Sequence, residues 1–180
     1  MMMSIQKSTL SFMAALFFAI TFYSVSHAAD QAGAATDKSA PSTVAAANQP
    51  IHWQTYASGM KAIKDGKKKG FLHFYTDWCH FCKKMSQETF TDPKIIAYLN
   101  ENFVNIRLNA DQERDVAQQY VVSPVPDNWF IGDDGNPLSH FPGYIPPERL
   151  LAMLQFLHTD SYKTMKFSDF IQQQEKAAAK

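Results

Sequence analysis

The sequence predicts an α/β domain with a mixed central sheet flanked by helices on both faces. Three observations carry that reading. Apolar runs of strand length alternate with stretches of helical period, a turn of Asp133-Asp134-Gly135-Asn136 sits between two short apolar runs, and the only two cysteines fall where a strand gives way to a helix. Strands joined by helical crossovers are expected to be parallel, and a hairpin adds antiparallel ones.

The elements follow in order. Trp53, Tyr56, Met60 and Ile63 recur at helical spacing, and the pattern stops at Asp65-Gly66. Gly70 opens FLHFY (71–75), a short aromatic run that suits a buried strand. KKMSQETF continues from the second cysteine as a helix, and Thr91-Asp92-Pro93 reads as cap plus proline opening KIIAYLNENF. Val104, Ile106 and Leu108 alternate with polar residues, which predicts a strand. A helix is expected over 111–120, strands over 128–132 and 138–141, and a hairpin between them. Pro147-Glu148-Arg149 opens a helix with Leu150, Leu151, Leu154 and Leu157 on its apolar side, and 167–174 forms a last amphipathic piece.

The ends of the chain differ in character. After Lys7, residues 10–25 carry no charge, and Ser26-His27-Ala28 places small residues where a signal peptidase cuts. Residues 1–28 therefore read as a secretory signal. The apolar run is shorter than the roughly 20 residues of a spanning helix, so no stable membrane insertion is expected after cleavage. Residues 29–50, rich in Ala, Ser, Thr and Gln, read as a flexible linker. The folded domain is assigned to 51–160 and a helical extension to 161–180.

The chain has 17 basic and 17 acidic residues. That balance gives no reason to expect nucleic acid as a partner. The run Lys67-Lys68-Lys69 reads as a solvated helix end. With 46% apolar and 13% aromatic residues, the chain can bury a core.

Cys79 and Cys82 define the chemistry. A bridge between cysteines three apart closes almost no loop and adds little as a structural staple. At a strand-to-helix junction, Cys79 meets the free N–H groups and dipole of the helix N-terminus, which favour its thiolate. Cys82, one turn on, is placed to resolve a mixed disulfide. Covalent haem attachment requires a histidine at 83, where this chain has lysine. Two other classes remain as alternatives: a Cu(I) or Zn(II) carrier using the same cysteines, and a binding module that no longer turns over.

FLHFYTDWCHFCKKM resembles the active-site segment of thioredoxin-like proteins. TFTDPKI (89–95) is similar to the C-terminal periplasmic domain of transmembrane thiol:disulfide interchange reductases and to exported thioredoxin-related proteins. YVVSPVPDNWFIGDDGNPLSHFPGY (120–144) resembles the family's Val-Pro segment, hairpin and glycine. The resemblance implies a thioredoxin fold and a periplasmic oxidoreductase that reduces protein disulfides through Cys79 and Cys82, with no cofactor beyond them. A thiol oxidase or isomerase of the same fold is the alternative direction. A membrane thiol-electron transporter is the expected reductant.

The resemblance also assigns roles. Pro126 matches the substrate-facing cis-proline, with Pro124 as the competing candidate, and the backbone of Val125 would pair with an extended substrate. Trp78, His80 and Phe81 would form the substrate rim, and a protonated His80 would lower the Cys79 pKa. His73 stands where many family members carry a buried acid. Two readings of it are open: a proton carrier titrating near neutrality, or a core histidine held by a hydrogen bond. Arg107, opposite it, is expected at the surface.

Overall fold

In the computed structural model, residues 50–178 are described. The signal reading for 1–28 and, apart from Pro50, the linker reading for 29–50 lie outside them. Five strands and six helices follow in the order β1 (Trp53–Gln54), α1 (Tyr56–Gly66), β2 (Gly70–Tyr75), α2 (His80–Glu88), α3 (Pro93–Asn102), β3 (Val104–Asn109), α4 (Arg114–Gln119), β4 (Asp127–Ile131), β5 (Pro137–Pro142), α5 (Pro147–His158) and α6 (Phe167–Ala178). The sheet order is β1-β3-β2-β4-β5. β3 pairs parallel with β1 and β2, whereas β4 pairs antiparallel with β2 and β5.

Local chemistry sets most boundaries. Asp92 caps α3 by accepting from the N–H groups of Lys94 (2.8 Å) and Ile95 (3.2 Å), with Pro93 at the first helical position. In the β4–β5 turn, the Asp134 carboxylate accepts from Asn136 N–H at 2.9 Å, and Gly135 takes the left-handed conformation at φ 84°. The first element departs from expectation. Trp53 is in a strand, and the helix starts three residues later, where the Thr55 hydroxyl accepts from Ser58 N–H. A two-residue strand carries no periodic signal, and its pairing with β3 decides it.

Two cores sit on the two faces of the sheet. Phe71, Phe130, Met85, Ile95, Leu99, Leu150 and Leu154 fill the side covered by α2, α3 and α5. Ile63, Leu72, Phe74, Val104, Ile106, Leu108 and Ile131 fill the side covered by α1. Alternation along β2 thus feeds both layers, which is why FLHFY is apolar nearly throughout. Gly59 lets α1 approach β3: a Cβ there would clash with Ile106. Gly59→Ala is expected to lower stability by about 1–2 kcal/mol, because overpacking outweighs the gain in helix propensity. Chemical denaturation of the two proteins measures it.

In the basic run Lys67 is exposed at the end of α1 as expected, whereas Lys69 departs. Lys69 is largely buried and bonds the Asp160 carboxylate at 2.8 Å. Lys69 and Lys163 together hold the Asp160 pKa down at about 2. This pair fastens the start of the C-terminal extension, and α6 then packs Phe167 and Phe170 against Phe156.

Candidate active site

Strand β2 ends at Tyr75, and the next few residues deliver Cys79 as the N-cap of α2. Cys79 Sγ accepts from the N–H of Cys82 at 3.0 Å, so a sulfur occupies the place usually taken by a capping oxygen. Cys79 and Cys82 are joined in a disulfide, and both residues are buried. The three-residue separation puts both sulfurs at the first turn of α2, where unpaired N–H groups and the helix dipole stabilise negative charge on Cys79.

The rim residues lie outward. Trp78 is 71% exposed and Phe81 56% exposed. The Trp78 indole donates to the Asp111 carboxylate at 2.9 Å. Asp111 N–H donates to the Asn109 side-chain oxygen (3.0 Å), and the Asn109 amide donates to Asp77 (3.1 Å). This chain of bonds ties the segment before Cys79 to the end of β3. His80 is exposed at the start of α2, with its ring against Phe81.

Pro126 immediately precedes β4, and β4 is registered so that Asp127 lies opposite Phe74 near the end of β2. The register thereby brings Val125 and Pro126 to the same end of the sheet as Cys79. Both Ser123-Pro124 and Val125-Pro126 are cis. Pro126 is the buried one of the two, and its carbonyl accepts from Gly143 N–H at 2.7 Å. Asp127 turns away from solvent, accepting from Trp129 Nε1 (2.9 Å) and lying 3.1 Å from His140 Nδ1.

For His73, burial favours one of the two open readings, a core histidine held by a hydrogen bond. Its side chain is fully buried, edge-on to Phe90 and close to Trp53. The Asn128 amide nitrogen donates to the carbonyls of Phe141 and Gly143, each at 3.1 Å, which aims its oxygen at His73 Nδ1, 2.8 Å away. Nδ1 must therefore carry the proton, and Nε2 is left without a hydrogen-bond partner. Burial pushes the pKa down to about 3, against the Asn128 bond and aided by the Arg107 charge. The premise that this imidazole titrates near neutrality fails, because a charged ring cannot be solvated there.

Arg107 is half-buried rather than out on the surface. Its guanidinium lies 4.4 Å over the Tyr75 ring, and Nη2 donates to Ser86 Oγ at 2.9 Å. Ser86 in turn donates to the Cys82 carbonyl at 3.0 Å. Tyr75, Asp77, Cys82, Ser86 and Arg107 line one cavity of about 190 Å³. Sequence reasoning passed over Ser86, although it lies one turn beyond Cys82 on the same helix face and that spacing was available.

A thioredoxin-like domain model matches residues 56–158, more than half of the chain. The chain belongs to the thioredoxin-like family. The match spans the strand, the cysteine pair, the Val-Pro segment and the hairpin. The thiol:disulfide interchange protein DsbD of Photorhabdus laumondii is 28% identical over 111 residues, 59% of this chain and 19% of that protein. DsbD of Vibrio vulnificus is 37% identical over 83 residues, 43% of this chain and 14% of that protein. The chain thus spans less than a fifth of the length of these relatives. The solution structure of a thioredoxin from Thermus thermophilus superposes with a TM-score of 0.56 at 18% identity, covering 61% of this chain and 88% of that one. That likeness establishes a thioredoxin fold. Among the described residues no group of three or more His, Cys, Asp or Glu is placed to hold a metal ion, and no helix is long and apolar enough to cross a membrane.

Proposed function

We propose that this protein is an exported thiol–disulfide oxidoreductase that reduces protein disulfides in the periplasm. The observation that carries the reading is the Cys79–Cys82 disulfide at the N-terminus of α2, in a thioredoxin-like domain similar in sequence to DsbD proteins. In the reduced protein, the Cys79 thiolate attacks one sulfur of a substrate disulfide. That bond breaks, the second substrate sulfur leaves as a thiolate, and a mixed disulfide forms. The Cys82 thiolate then attacks Cys79 Sγ, releasing the first substrate sulfur and restoring the Cys79–Cys82 bond. Two electrons have passed to the substrate.

Pro126 and the backbone of Val125 border the substrate, and Trp78, His80 and Phe81 form its rim. Restoring the dithiol outside the cytosol requires a donor, and a membrane thiol-electron transporter fits that need. The leader-like stretch 1–28 supports export.

Equilibration of the Cys79–Cys82 couple against glutathione tests the direction. A reduction potential near the about −270 mV of thioredoxin is expected. A value near the about −120 mV of a strong periplasmic oxidant would replace reductase by oxidase and make His80 the first residue to substitute.

A further inference from the structure

We propose that Asp127 is a positioning residue for substrate docking: with His140 it forms a side-chain clasp that holds Val125 and Pro126 at the disulfide end of the sheet. The inference rests on the oxidoreductase reading, in which an extended segment of the substrate lies along Val125 and Pro126. The backbone at this place is poor in donors. Pro124, Pro126 and Pro142 have no N–H, and Pro142 stands opposite Asp127 in the β4–β5 register. One backbone bond joins the segment to the turn after β5, where Gly143 N–H donates to the Pro126 carbonyl at 2.7 Å.

Side chains make up the shortfall from both faces of the sheet. On the side of His73 and Phe90, the Asn128 amide reaches the carbonyls of Phe141 and Gly143, each at 3.1 Å. Asp127, the preceding residue, turns to the opposite face. There its carboxylate accepts from Trp129 Nε1 at 2.9 Å and bridges to His140 Nδ1 on β5, 3.1 Å from Oδ1 and 3.3 Å from Oδ2. An ionised carboxylate only accepts, so Nδ1 carries the proton, and the bond forms with the neutral and the charged ring alike. The His140 ring also lies nearly flat on Trp129, with centroids 4.3 Å apart.

Asp127 is buried, whereas His140 reaches solvent. A buried carboxylate is costly unless its lone pairs are met, so its two donors are held to it firmly. Trp129 lies on the same strand as Asp127, and its bond fixes the carboxylate alone. The His140 bond crosses from β4 to β5 and ties the first residue of β4 to the strand that leads into Gly143. Loosening it frees Asp127 and, with it, the adjoining Pro126 and Val125. The sulfurs stay where they are, because α2 places them. The clasp therefore governs how well a polypeptide docks, and not the exchange of sulfur bonds.

The test is His140→Phe, which keeps a ring on Trp129 and removes the Nδ1–H donor. Reduction of an unfolded disulfide-containing protein is followed with dithiothreitol as the dithiol donor. KM is expected to rise about tenfold, the effect of losing one hydrogen bond to a charged group, with kcat changed by less than about twofold. His140→Asn, whose amide nitrogen can stand in for Nδ1, should recover most of the loss. Gly59→Ala, which loosens α1 against β3 away from the clasp, should leave KM as it was. Hydrogen exchange at the Gly143 amide should quicken about tenfold in His140→Phe and stay slow in His140→Asn. An unchanged KM, a loss that falls in kcat, an equal rise in Gly59→Ala, or a Gly143 amide indifferent to the Phe variant overturns the proposal. If the Phe variant does not fold, His140→Ala takes its place with the same readings. Failure of the unaltered protein to reduce the substrate at all would instead sink the oxidoreductase reading, whatever the Gly143 amide shows.

Discussion

Cys79→Ser is expected to reduce disulfide-reductase turnover by on the order of 10³-fold or more, with the fold intact. A serine hydroxyl can still cap α2 by accepting from the Cys82 N–H, so the helix start survives the change. What is lost is the nucleophile, because an alkoxide is not accessible at neutral pH. Cys82→Ser should behave differently. Attack by Cys79 still occurs, but the mixed disulfide has no internal thiolate to break it, so a covalent complex with the substrate accumulates. Non-reducing electrophoresis with an unfolded disulfide-containing protein as substrate distinguishes the two. Equal trapping by both variants would contradict the assignment of Cys79 as attacker.

The second large effect is on acid stability. The folded chain should lose roughly 1.4 kcal/mol per pH unit below about pH 6, which reaches roughly 3 kcal/mol by pH 4. The sign follows from His73. Its folded pKa of about 3 lies below the 6.5 of an unperturbed imidazole. Between those values the unfolded chain binds a proton that the folded chain refuses, so stability is full above the unfolded pKa and falls as pH drops toward the folded one. Denaturant titrations at several pH values between 4 and 7 measure the slope. His73→Asn keeps a polar partner for Asn128 but removes the proton, and should flatten the slope in this window. A variant as acid-sensitive as its parent would show that His73 is not the responsible group. Absolute stability is a poorer readout, since shrinking a fully buried ring leaves a cavity.

The cysteine pair, its helix-start position and the hairpin were legible because each is a short-range signal. Cys79 and Cys82 are three residues apart, and Asp133 to Asn136 specify their own turn. Arg107 was misplaced at the surface because of the pattern around it. Val104, Ile106 and Leu108 alternate with Asn105, Arg107 and Asn109, and alternation ordinarily marks one wet face. In this chain β3 lies between β1 and β2 with helices over both faces, so Asn105 and Asn109 are buried and Arg107 is held under α2. Burial of a polar residue depends on what covers it, and the covering helix is distant in sequence.

By itself, the sequence determined the α/β alternation, the mixed sheet and the location of the dithiol, since periodicity, caps and turn residues act within a few positions. Only the tertiary structure decided which charges the dithiol meets. The Asn128 amide, oriented by two carbonyls after β5 begins, fixes His73 in its neutral form, and the parallel register of β2 with β3 carries Arg107 to the cavity beside Cys82. Solvation and Coulomb interactions depend on distance in space, and no spacing along the chain encodes them.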